Sequence, residues 1–336
     1  MAERKNAGLG LLVLLLTLII SVALVLGFFG RVHPAFDAFS HFRLHLAALL
    51  FLCGIAMFAL HYRLHAAAAA LLAAGCVGVT VPHFFQSEMV PAPTDQPVYK
   101  LLQLNAYYGN KEPKAVLSLI AREHPDIVTM EEVSDNWREE LNIIKTAYPY
   151  RLDCGEGSFS TVILSRRSMN EGHNPYCAPN GRVALAQIDL NGRLIDVMAL
   201  HLPWPWPFEQ WQTVRDHAPL LQMLGDTAIA AGDFNAAPWS ATVREVVALG
   251  GFTRIEHFGP TWIGHHTLPE SFKFLGLPID QVMTKGRIIV HSTRTLEAVG
   301  SDHLPVLVEF SIAPEEIGPE PQQTVLAAMV NRLRMP

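Results

Sequence analysis

Charge is scarce in the first quarter of this 336-residue sequence. Seven of the first 87 residues are charged, whereas the remaining 249 carry 49 charged side chains. Cysteine is also scarce: the four cysteines are too few for a disulfide-rich miniprotein, and the 50% hydrophobic content excludes a disordered chain. The composition therefore indicates a membrane-embedded front end followed by a globular domain.

Three apolar runs near the N-terminus predict transmembrane helices. Residues 8–30 contain no charge, and about 20 apolar residues are enough to cross the hydrocarbon core of a bilayer. Shorter runs follow at 44–60 and 66–82. A signal peptide fits the first run less well, because its apolar core is too long and no small-residue cleavage site follows. A buried helical hairpin of a soluble protein is the alternative for the other two runs.

The basic residues that flank these runs predict an orientation. With three spans and a cytoplasmic N-terminus, the inside carries Arg4, Lys5 and Arg63, and the outside carries Arg31 and Arg43. By the positive-inside rule, three against two favours this arrangement. We therefore predict a bacterial-type, multi-pass inner-membrane protein with a periplasmic globular domain. Its predicted regions are a membrane region (1–85), a linker (86–96), the globular domain (97–313) and a tail (314–336).

Apolar β-like runs alternate with amphipathic helical stretches from Pro97 onward. The Asn191-Gly192 pair between two apolar runs is a strong hairpin signal. Mixed hairpins and βα units predict two packed sheets with helices outside, an α/β fold. The predicted strands are 98–105, 126–130, 161–165, 182–190, 193–201, 227–231, 278–284, 287–295 and 305–310, and the predicted helices are 112–124, 134–148, 208–224 and 241–249.

Polar side chains stand where these predicted strands end, which is where functional groups of α/β domains collect. They are Asn105, Glu132, His201, Asp233, Asn235, Asp280, Asp302 and His303. Carboxylates and amides without cysteine or paired-histidine spacing suit a hard cation such as Mg²⁺ better than zinc. Such an ion neutralises phosphate oxygens and orients an attacking water molecule.

These stretches resemble the endonuclease/exonuclease/phosphatase superfamily over residues 101–310. The most specific matches are Gly-Asp-Phe-Asn at 232–235 and Gly-Ser-Asp-His-Leu-Pro at 300–305. Residues 126–133 resemble the glutamate motif of that superfamily, with Glu131 in place of the usual glutamine, and 163–166 and 279–280 add support. The resemblance implies a four-layer α/β/β/α sandwich and metal-dependent cleavage of phosphoester bonds.

The resemblance also implies a metal site. Glu132 corresponds to the principal ligand, assisted by Asn105 and Asp302, and the expected ion is Mg²⁺, with Mn²⁺ as an alternative. Tyr107 stands where some members carry an additional aspartate ligand, so the affinity for metal is expected to be modest. We interpret Glu131 as a solvated neighbour of the site rather than a ligand.

The remaining matched residues correspond to catalytic groups. Asp233 would orient and deprotonate the attacking water, and Asn235 would hold water or phosphate beside it. His303 would contact the scissile phosphate while Asp280 fixes its tautomer. His201 would be a second group on the phosphate side and a candidate acid.

Two other motifs leave alternatives open. Arg182, at the start of a predicted strand, either faces phosphate or is a solvated strand end. His265-His266 is expected to be structural or at the surface, because adjacent residues of an extended chain point apart.

A segment rich in tryptophan and proline follows at 203–211. It is either an aromatic rim that grips a lipid-like substrate or touches the bilayer, or a buried loop packed under the next helix. We favour the buried loop, because tryptophan is highly buried on average.

Cys154 and Cys177 bracket the predicted strand 161–165. A bridge between them would close a 23-residue separation, stabilise by about 3 kcal/mol in the chain-entropy model, and persist only in an oxidising compartment. Two unrelated thiols in a cytosolic domain are the equally weighted alternative.

The globular part carries 20 basic and 27 acidic residues, a net charge of −7, so bulk attraction to a phosphate polymer is absent. Our first hypothesis is a membrane-anchored phosphoesterase acting on a phosphate ester, with lipid-like substrates as candidates. A metal-dependent nuclease and a catalytically silent membrane adaptor are the alternatives. The sequence indicates no protein partner and no strong nucleic-acid signal.

Overall fold

The structure is a computed structural model that describes residues 2–85, 90–92, 96–155, 157, 159–170, 172, 174–256, 259–264 and 270–314. Its helices are α1 (Ala2–Leu26), α2 (Pro34–His41), α3 (Arg43–Ala59), α4 (Arg63–Thr80), α5 (Pro113–Glu123), α6 (Asp135–Leu141), α7 (Gln210–Met223) and α8 (Ala241–Gly250). Short 3₁₀ helices lie at Val81–Phe84, Asn142–Ile144 and Glu270–Leu275. Its strands are β1 (Tyr99–Asn105), β2 (Ile127–Glu131), β3 (Tyr150–Cys154), β4 (Thr161–Ser165), β5 (Tyr176–Cys177), β6 (Val183–Asp189), β7 (Leu194–Leu200), β8 (Ala228–Asp233), β9 (Thr253–Arg254), β10 (Asp280–Lys285), β11 (Ile288–Thr295) and β12 (Val306–Ile312).

The strands form two six-stranded sheets. The order in the first is β11-β12-β1-β2-β4-β3, and in the second β5-β6-β7-β8-β10-β9. One parallel pair lies at the centre of each sheet, β1 with β2 and β7 with β8, and the other pairs are antiparallel. Parallel neighbours end at the same edge of a sheet, so the two parallel pairs bring four strand ends together.

Apolar side chains fill three interfaces in the globular domain. One cluster lies between the sheets and includes Leu101, Ile163 and Val197. A second packs α5 and α6 on the first sheet, and a third packs α7 and α8 on the second. The architecture is therefore the expected four-layer α/β/β/α sandwich.

Most predicted elements of this domain form within a few residues of their expected bounds. Asn191 and Gly192 both have positive φ in the turn between β6 and β7, which confirms the hairpin. The predicted helix 134–148 is shorter than expected, because α6 ends at Leu141 and passes into a 3₁₀ turn. The short or partly charged strands β3, β5 and β9 were not predicted. The tail beyond residue 314 and His265-His266 lie outside the described residues.

The N-terminal helices pack as a separate bundle. Two of them are long and apolar enough to span a membrane, Gly8–Leu26 and Arg63–Phe84. A third span is present only if α2 and α3, which are bent by 71°, are counted as one. Helix α3 approaches α4 closely at Gly54, where an added Cβ would lie 3.6 Å from the Ala69 side chain. The described residues therefore contain two or three candidate spans, and the orientation based on three stays a prediction.

Helix α2 joins this bundle to the globular domain. The carboxylate of Asp37 accepts hydrogen bonds from the backbone N–H groups of Ala241 and Thr242, at 2.7 and 3.0 Å, and from the Thr242 hydroxyl at 3.1 Å. Trp239 donates its indole N–H to the carbonyl of Ser40 at 2.6 Å. Because Asp37 and Ser40 are fully buried, α2 and the start of α8 form one packed joint.

A disulfide bond links the two sheets. It joins Cys154, at the end of β3, to Cys177 in β5, with their Cα atoms 5.2 Å apart. Each of these strands lies at one edge of its sheet, so the bond closes one side of the sandwich. The proposed pairing of these two cysteines therefore forms.

Candidate active site

The polar side chains singled out in the sequence meet at one end of the sandwich. Asn105 and Glu132 lie at the ends of β1 and β2, His201 and Asp233 at the ends of β7 and β8. Asp280 begins β10 directly opposite Asp233 in the antiparallel register, so it reaches the same edge. Together with two loops, these strand ends enclose a pocket of about 320 Å³. Its walls include Tyr107, Tyr108, Glu132, Phe159, Arg182, His201, Pro203, Trp204, Phe208, Asp233, Asn235, Trp262, Asp302 and His303.

Asn105 connects the carboxylates of the two sheets. Its amide nitrogen donates to Glu132 Oε1 at 3.2 Å and to Asp233 Oδ2 at 3.0 Å. Its oxygen accepts the backbone N–H of Tyr107 at 2.9 Å, which fixes the orientation of the amide. Glu132 has a φ of 56°, and its second oxygen accepts the backbone N–H of Tyr108 at 3.3 Å. Both predicted metal-site residues are therefore present and held in place.

His201 adds a nitrogen to this group. Its Nε2 atom lies 3.9 Å from Glu132 Oε1 and 3.8 Å from Asp233 Oδ2. One ligand atom from each of Glu132, His201 and Asp233 lies within 4.8 Å of the others. Burial, the nearby Arg182 and His303 lower the pKa of His201 to about 3, so its imidazole is neutral near pH 7. A neutral imidazole fits a ligand or hydrogen-bond acceptor better than an acid.

His303 and Asp280 form the predicted pair. The Nδ1 and Oδ2 atoms are 2.8 Å apart, and both residues are buried. The other ring nitrogen of His303 lies 3.7 Å from Asp233 Oδ2. Burial opposes the charged imidazole, but the carboxylates of Asp280 and Asp233 outweigh it and raise the pKa of His303 to about 10. His303 is therefore a cation that faces the pocket, with Asp280 behind it.

Asp233 lies at the centre of the site. Its oxygens accept the backbone N–H of Asn235 at 2.8 Å and the Asn235 side-chain amide at 3.2 Å. Burial raises the pKa of Asp233 to about 7, against the opposing effect of His303. A carboxylate with a pKa near neutrality is suited to proton transfer at physiological pH.

Asp302 lies at the edge of this constellation. It lines the pocket, and its carboxylate accepts the indole N–H of Trp262 at 3.2 Å. It belongs to neither of the two tight groups of metal-ligand type found among the described residues, which are Glu132 with His201 and Asp233, and Asp233 with Asp280 and His303. The structure thus brings Glu132 and Asn105 into direct contact but holds Asp302 against Trp262.

Our interpretation of Glu131 as a solvated neighbour of the site is wrong. Its side chain is fully buried, because it ends β2 on the face that packs against the second sheet. Gln103 donates its amide to Glu131 at 2.7 Å and to Asp280 at 3.1 Å. Burial and the charges of Asp280 and Asp233 raise the pKa of Glu131 well above its ordinary value. Gln103 was missed in the sequence, although its position two residues before Asn105 places both on one face of β1.

Arg182 points into the pocket rather than into solvent. Its guanidinium lies 4.8 Å from the centre of the Phe159 ring. Among the described residues that line the pocket it is the one Lys or Arg side chain. Burial lowers the pKa of Arg182, and the carboxylates of Glu132 and Asp233 oppose this effect. The position therefore favours the first interpretation, in which Arg182 faces an anionic substrate.

The segment 203–211 is not the buried loop that we favoured. Trp206 and Phe208 are 56% and 58% exposed, while Trp204 lines the pocket and packs against Trp262 at 6.4 Å between ring centres. The chain bends at residues 205–208, and Pro203, Trp204 and Phe208 line the pocket while the Trp206 ring is exposed. The segment forms part of the pocket wall and an exposed aromatic edge.

The donor set fits a hard divalent cation. Buried carboxylates lose hydration, which accounts for the raised pKa values of Glu132 and Asp233, and a bound cation would replace that lost stabilisation. The available atoms are carboxylate oxygens and an imidazole nitrogen, without a thiolate, which suits Mg²⁺ or Mn²⁺. The Asn105 amide presents its nitrogen to these carboxylates and orients them.

The sequence pattern of the Endonuclease/Exonuclease/phosphatase family matches residues 102–303, which include each of the strand-end residues described above. The chain belongs to this family. Its name describes enzymes that cleave phosphoester bonds. A search of curated proteins finds no match.

Solved structures share the fold at low sequence identity. TDP2 from D. rerio, complexed with a single-stranded DNA product, is 18% identical, with a TM-score of 0.53 over 64% of this chain and 99% of that chain. The 3′ phosphatase NExo from Neisseria, bound to a product DNA hairpin, is 17% identical, with a TM-score of 0.51 over 63% and 99%. Beta toxin from Staphylococcus aureus, with bound magnesium ions, is 14% identical, with a TM-score of 0.50 over 65% and 100%.

Proposed function

We propose that the chain is a membrane-anchored, Mg²⁺-dependent phosphoesterase whose substrate is a lipid-like phosphoester at the membrane surface. The observation that carries the chemistry is the juxtaposition of Glu132, His201 and Asp233 with the His303–Asp280 pair in one pocket. A catalytically silent adaptor has no need of such a cluster of buried ionisable groups, whose burial is unfavourable without a ligand.

The metal would be held by Glu132, assisted by Asp302, with His201 as a further donor. Asn105 would assist by orienting Glu132 through its amide nitrogen. When bound, a divalent cation neutralises charge on phosphoryl oxygens and makes a bound water easier to ionise. One carboxylate oxygen of Asp302 already accepts the Trp262 indole N–H, so we expect Asp302 to be the weakest of these ligands.

The protein residues position the reacting groups and accept the proton of the nucleophile. Asp233, oriented by Asn105 and Asn235, takes a proton from the attacking water, while the bond from phosphorus to the leaving oxygen breaks and solvent protonates that oxygen. His303, kept protonated by Asp280, donates a hydrogen bond from Nε2 to a phosphoryl oxygen. Arg182 binds a second phosphoryl oxygen from the opposite wall, and Phe159 holds its guanidinium in place.

An aromatic rim supports a substrate at the membrane surface. We define this rim as Trp204, Trp206 and Phe208, of which the last two are exposed. The rim touches the N-terminal bundle, because Trp204 packs on His41 of α2 at 5.4 Å. The carbonyl of Leu275, next to Phe274, lies 2.7 Å from the His45 ring in α3. The pocket mouth therefore lies beside the helices that would enter the bilayer, and aromatic rings favour that interface.

The first experiment tests the chemistry. The purified full-length chain would be screened against phospholipids, nucleotides, DNA and phosphomonoesters, with Mg²⁺ and with chelator. We expect hydrolysis to disappear in chelator and to fall about 100-fold or more in Asp233→Ala, which removes the proposed base. Asp216→Ala, an exposed aspartate on α7, is the matched control. Undiminished hydrolysis in chelator or in Asp233→Ala would contradict the mechanism.

The second experiment tests the lipid-like substrate. In the variant Trp206→Ser, whose ring is exposed and does not line the pocket, we expect hydrolysis of a phospholipid in vesicles to fall about tenfold, while a water-soluble short-chain analogue is hydrolysed normally. Tyr150→Ser removes a comparably exposed ring at the start of β3, away from the pocket, and is the control. Equal loss on both substrates would show that the rim shapes the pocket instead.

A metal-dependent nuclease is the second candidate. The exposed rings of Tyr108 and Phe159 line the pocket and offer faces on which bases can stack. The net charge of −7 disfavours it, since there is no long basic track for a polymer. Hydrolysis of single-stranded DNA faster than of any lipid would favour this candidate.

We also propose an oxidising location for the globular domain, the periplasm of a bacterial inner-membrane protein. The Cys154–Cys177 bond supports it, because such bonds persist outside the reducing cytosol.

A further inference from the structure

A second recess lies where the turn after α1 meets the globular domain. It measures about 160 Å³, and its walls come from Arg31, from Trp211 and Arg215 on α7, and from Glu245 and the first turn of α8. None of these residues lines the active-site pocket. We refer to this site as the junction recess.

Two basic side chains and one acidic side chain line the junction recess. Neither Arg31 nor Arg215 forms an ion pair within the described part of the chain, and Arg215 donates one hydrogen bond, to Gln212 at 2.9 Å. Glu245 is the acid in the wall, so the lining side chains carry a net charge of +1. Arg244 lies near both Asp37 and Arg31, and the charge of Asp37 acts on it more strongly. The two guanidinium groups without ion pairs would attract an anion.

The helix end in this wall is not the source of the positive charge. Asp37 already accepts the N–H groups of Ala241 and Thr242, and the Ser240 hydroxyl accepts that of Val243 at 3.0 Å. The first turn of α8 is therefore saturated, and an anion in the recess would depend on the guanidinium groups.

The position of Arg31 relates the recess to the bilayer. The candidate span of α1 ends at Leu26, and Arg31 follows five residues later, in the turn before α2. Phe29 and Val32, on either side of this turn, are 53% and 69% exposed. A basic group at this height, flanked by exposed apolar side chains, lies where lipid phosphates meet acyl chains. Trp211, an amphipathic ring, suits the same layer.

We propose that the junction recess binds the headgroup of an anionic phospholipid, with Arg31 and Arg215 holding its phosphate. Planar guanidinium groups bind phosphate through paired hydrogen bonds, and the exposed apolar side chains accommodate the start of the acyl chains. The proposal rests on the membrane anchoring part of the proposed function and is independent of catalysis.

The experiment measures lipid retention without turnover. The full-length chain, in chelator, is reconstituted in nanodiscs that contain equal amounts of phosphatidylglycerol and phosphatidylcholine. It is then released from the nanodiscs in the gas phase, and native mass spectrometry measures the mass of the protein with its bound lipids. We expect phosphatidylglycerol to be retained preferentially, and at least tenfold less in the double variant Arg31→Gln and Arg215→Gln. Arg122→Gln, an exposed arginine on α5, is the matched control and should retain the lipid.

The following outcomes would overturn the proposed lipid site. Equal retention of the two lipids, or preferential retention that survives in the double variant, excludes a headgroup site in the junction recess. Displacement of phosphatidylglycerol by millimolar inorganic phosphate shows a site for the free ion rather than for lipid. Carbonate extraction of membranes reports anchoring, and hydrolysis by the double variant reports catalysis. A failure of lipid binding at the junction recess can thereby be distinguished from a failure of the proposed function.

Discussion

At the scale of single residues, Asp280 determines the charge of His303. It is fully buried and accepts a hydrogen bond from His303 on one oxygen and from Gln103 on the other. The carboxylate therefore stabilises the protonated imidazole through contact and charge together.

Asp280→Asn should lower the pKa of His303 well below 10, because an amide cannot stabilise the imidazolium by charge. Hydrolysis of the substrate should fall about 100-fold or more while the fold is retained. NMR titration of the histidine ring in chelator, together with circular dichroism, checks both. An unchanged pKa of His303 in Asp280→Asn would contradict the proposed pairing. Asp216→Asn is the control.

Glu131→Gln should stabilise the metal-free protein, and more so at high pH. The pKa of the buried Glu131 carboxyl is raised on folding, so the folded state binds more protons than the unfolded state once the pH exceeds about 4.5. The free energy of unfolding therefore falls as the pH rises above about 4.5, because the buried carboxyl must ionise. Glutamine does not ionise and removes this pH dependence. Thermal unfolding in chelator at pH 5 and pH 8 measures the difference. A variant equally stabilised at both values would contradict the buried, protonated state.

At the scale of secondary-structure elements, α2 is the part that local sequence did not reveal. His33 caps it, since its ring accepts the backbone N–H of Ala35, and Pro34 occupies its first turn. In addition, α2 is held by the contact of Asp37 with α8, about 200 residues away in the chain. Such contacts leave no local pattern, which is why this segment was expected to be a loop.

Asp37→Ala should loosen the joint between the N-terminal bundle and the globular domain. The change removes three hydrogen bonds from a buried carboxylate to α8, and bonds to charged groups contribute about 1.5–3 kcal/mol each before relaxation. We expect a loss of about 2 kcal/mol or more in unfolding free energy and faster proteolysis near residue 240. Asp216→Ala, at an exposed aspartate on α7, is the control. Unchanged proteolysis would show that the joint depends on packing instead.

The strands of the sandwich were predictable because their periodicity is local. In β1, Leu102 and Leu104 face the helices while Leu101 faces the second sheet, as alternation requires. Edge strands such as β3, with an arginine and an aspartate, form because β4 pairs with them and not because of their own pattern. Asn105, Glu132, His201 and Asp233 were found because they follow strands, whereas Asp280, Asp302 and His303 were found through the motifs shared with the superfamily. The Gln103–Glu131 contact and the exposure of Trp206 depend on which sheets and loops meet, and local sequence does not contain that information.

At the scale of the whole molecule, the Cys154–Cys177 bond connects fold to location. It joins the edge strands of both sheets across 23 residues of chain, and its loss should reduce stability by about 3 kcal/mol. We expect a C-terminal alkaline phosphatase fusion to be active and the two cysteines of the wild-type chain to resist alkylation in intact cells. Cys53 and Cys76, which form no disulfide in the structure, should be alkylated once the protein is unfolded and serve as the internal reference. An inactive fusion, or two freely alkylated thiols at 154 and 177, would place the domain in the cytosol.

The joint at Asp37 also determines how such an enzyme would meet its substrate. A domain on a slack tether samples a volume, and its rate follows the bulk concentration of what it cleaves. Here buried contacts through α2 fix the pocket relative to the N-terminal bundle, so the mouth keeps one height and one tilt. For a substrate held in the same bilayer, encounter then becomes two-dimensional. Turnover would follow the mole fraction of that lipid in the leaflet, and diluting it with inert lipid would slow the reaction at constant total concentration.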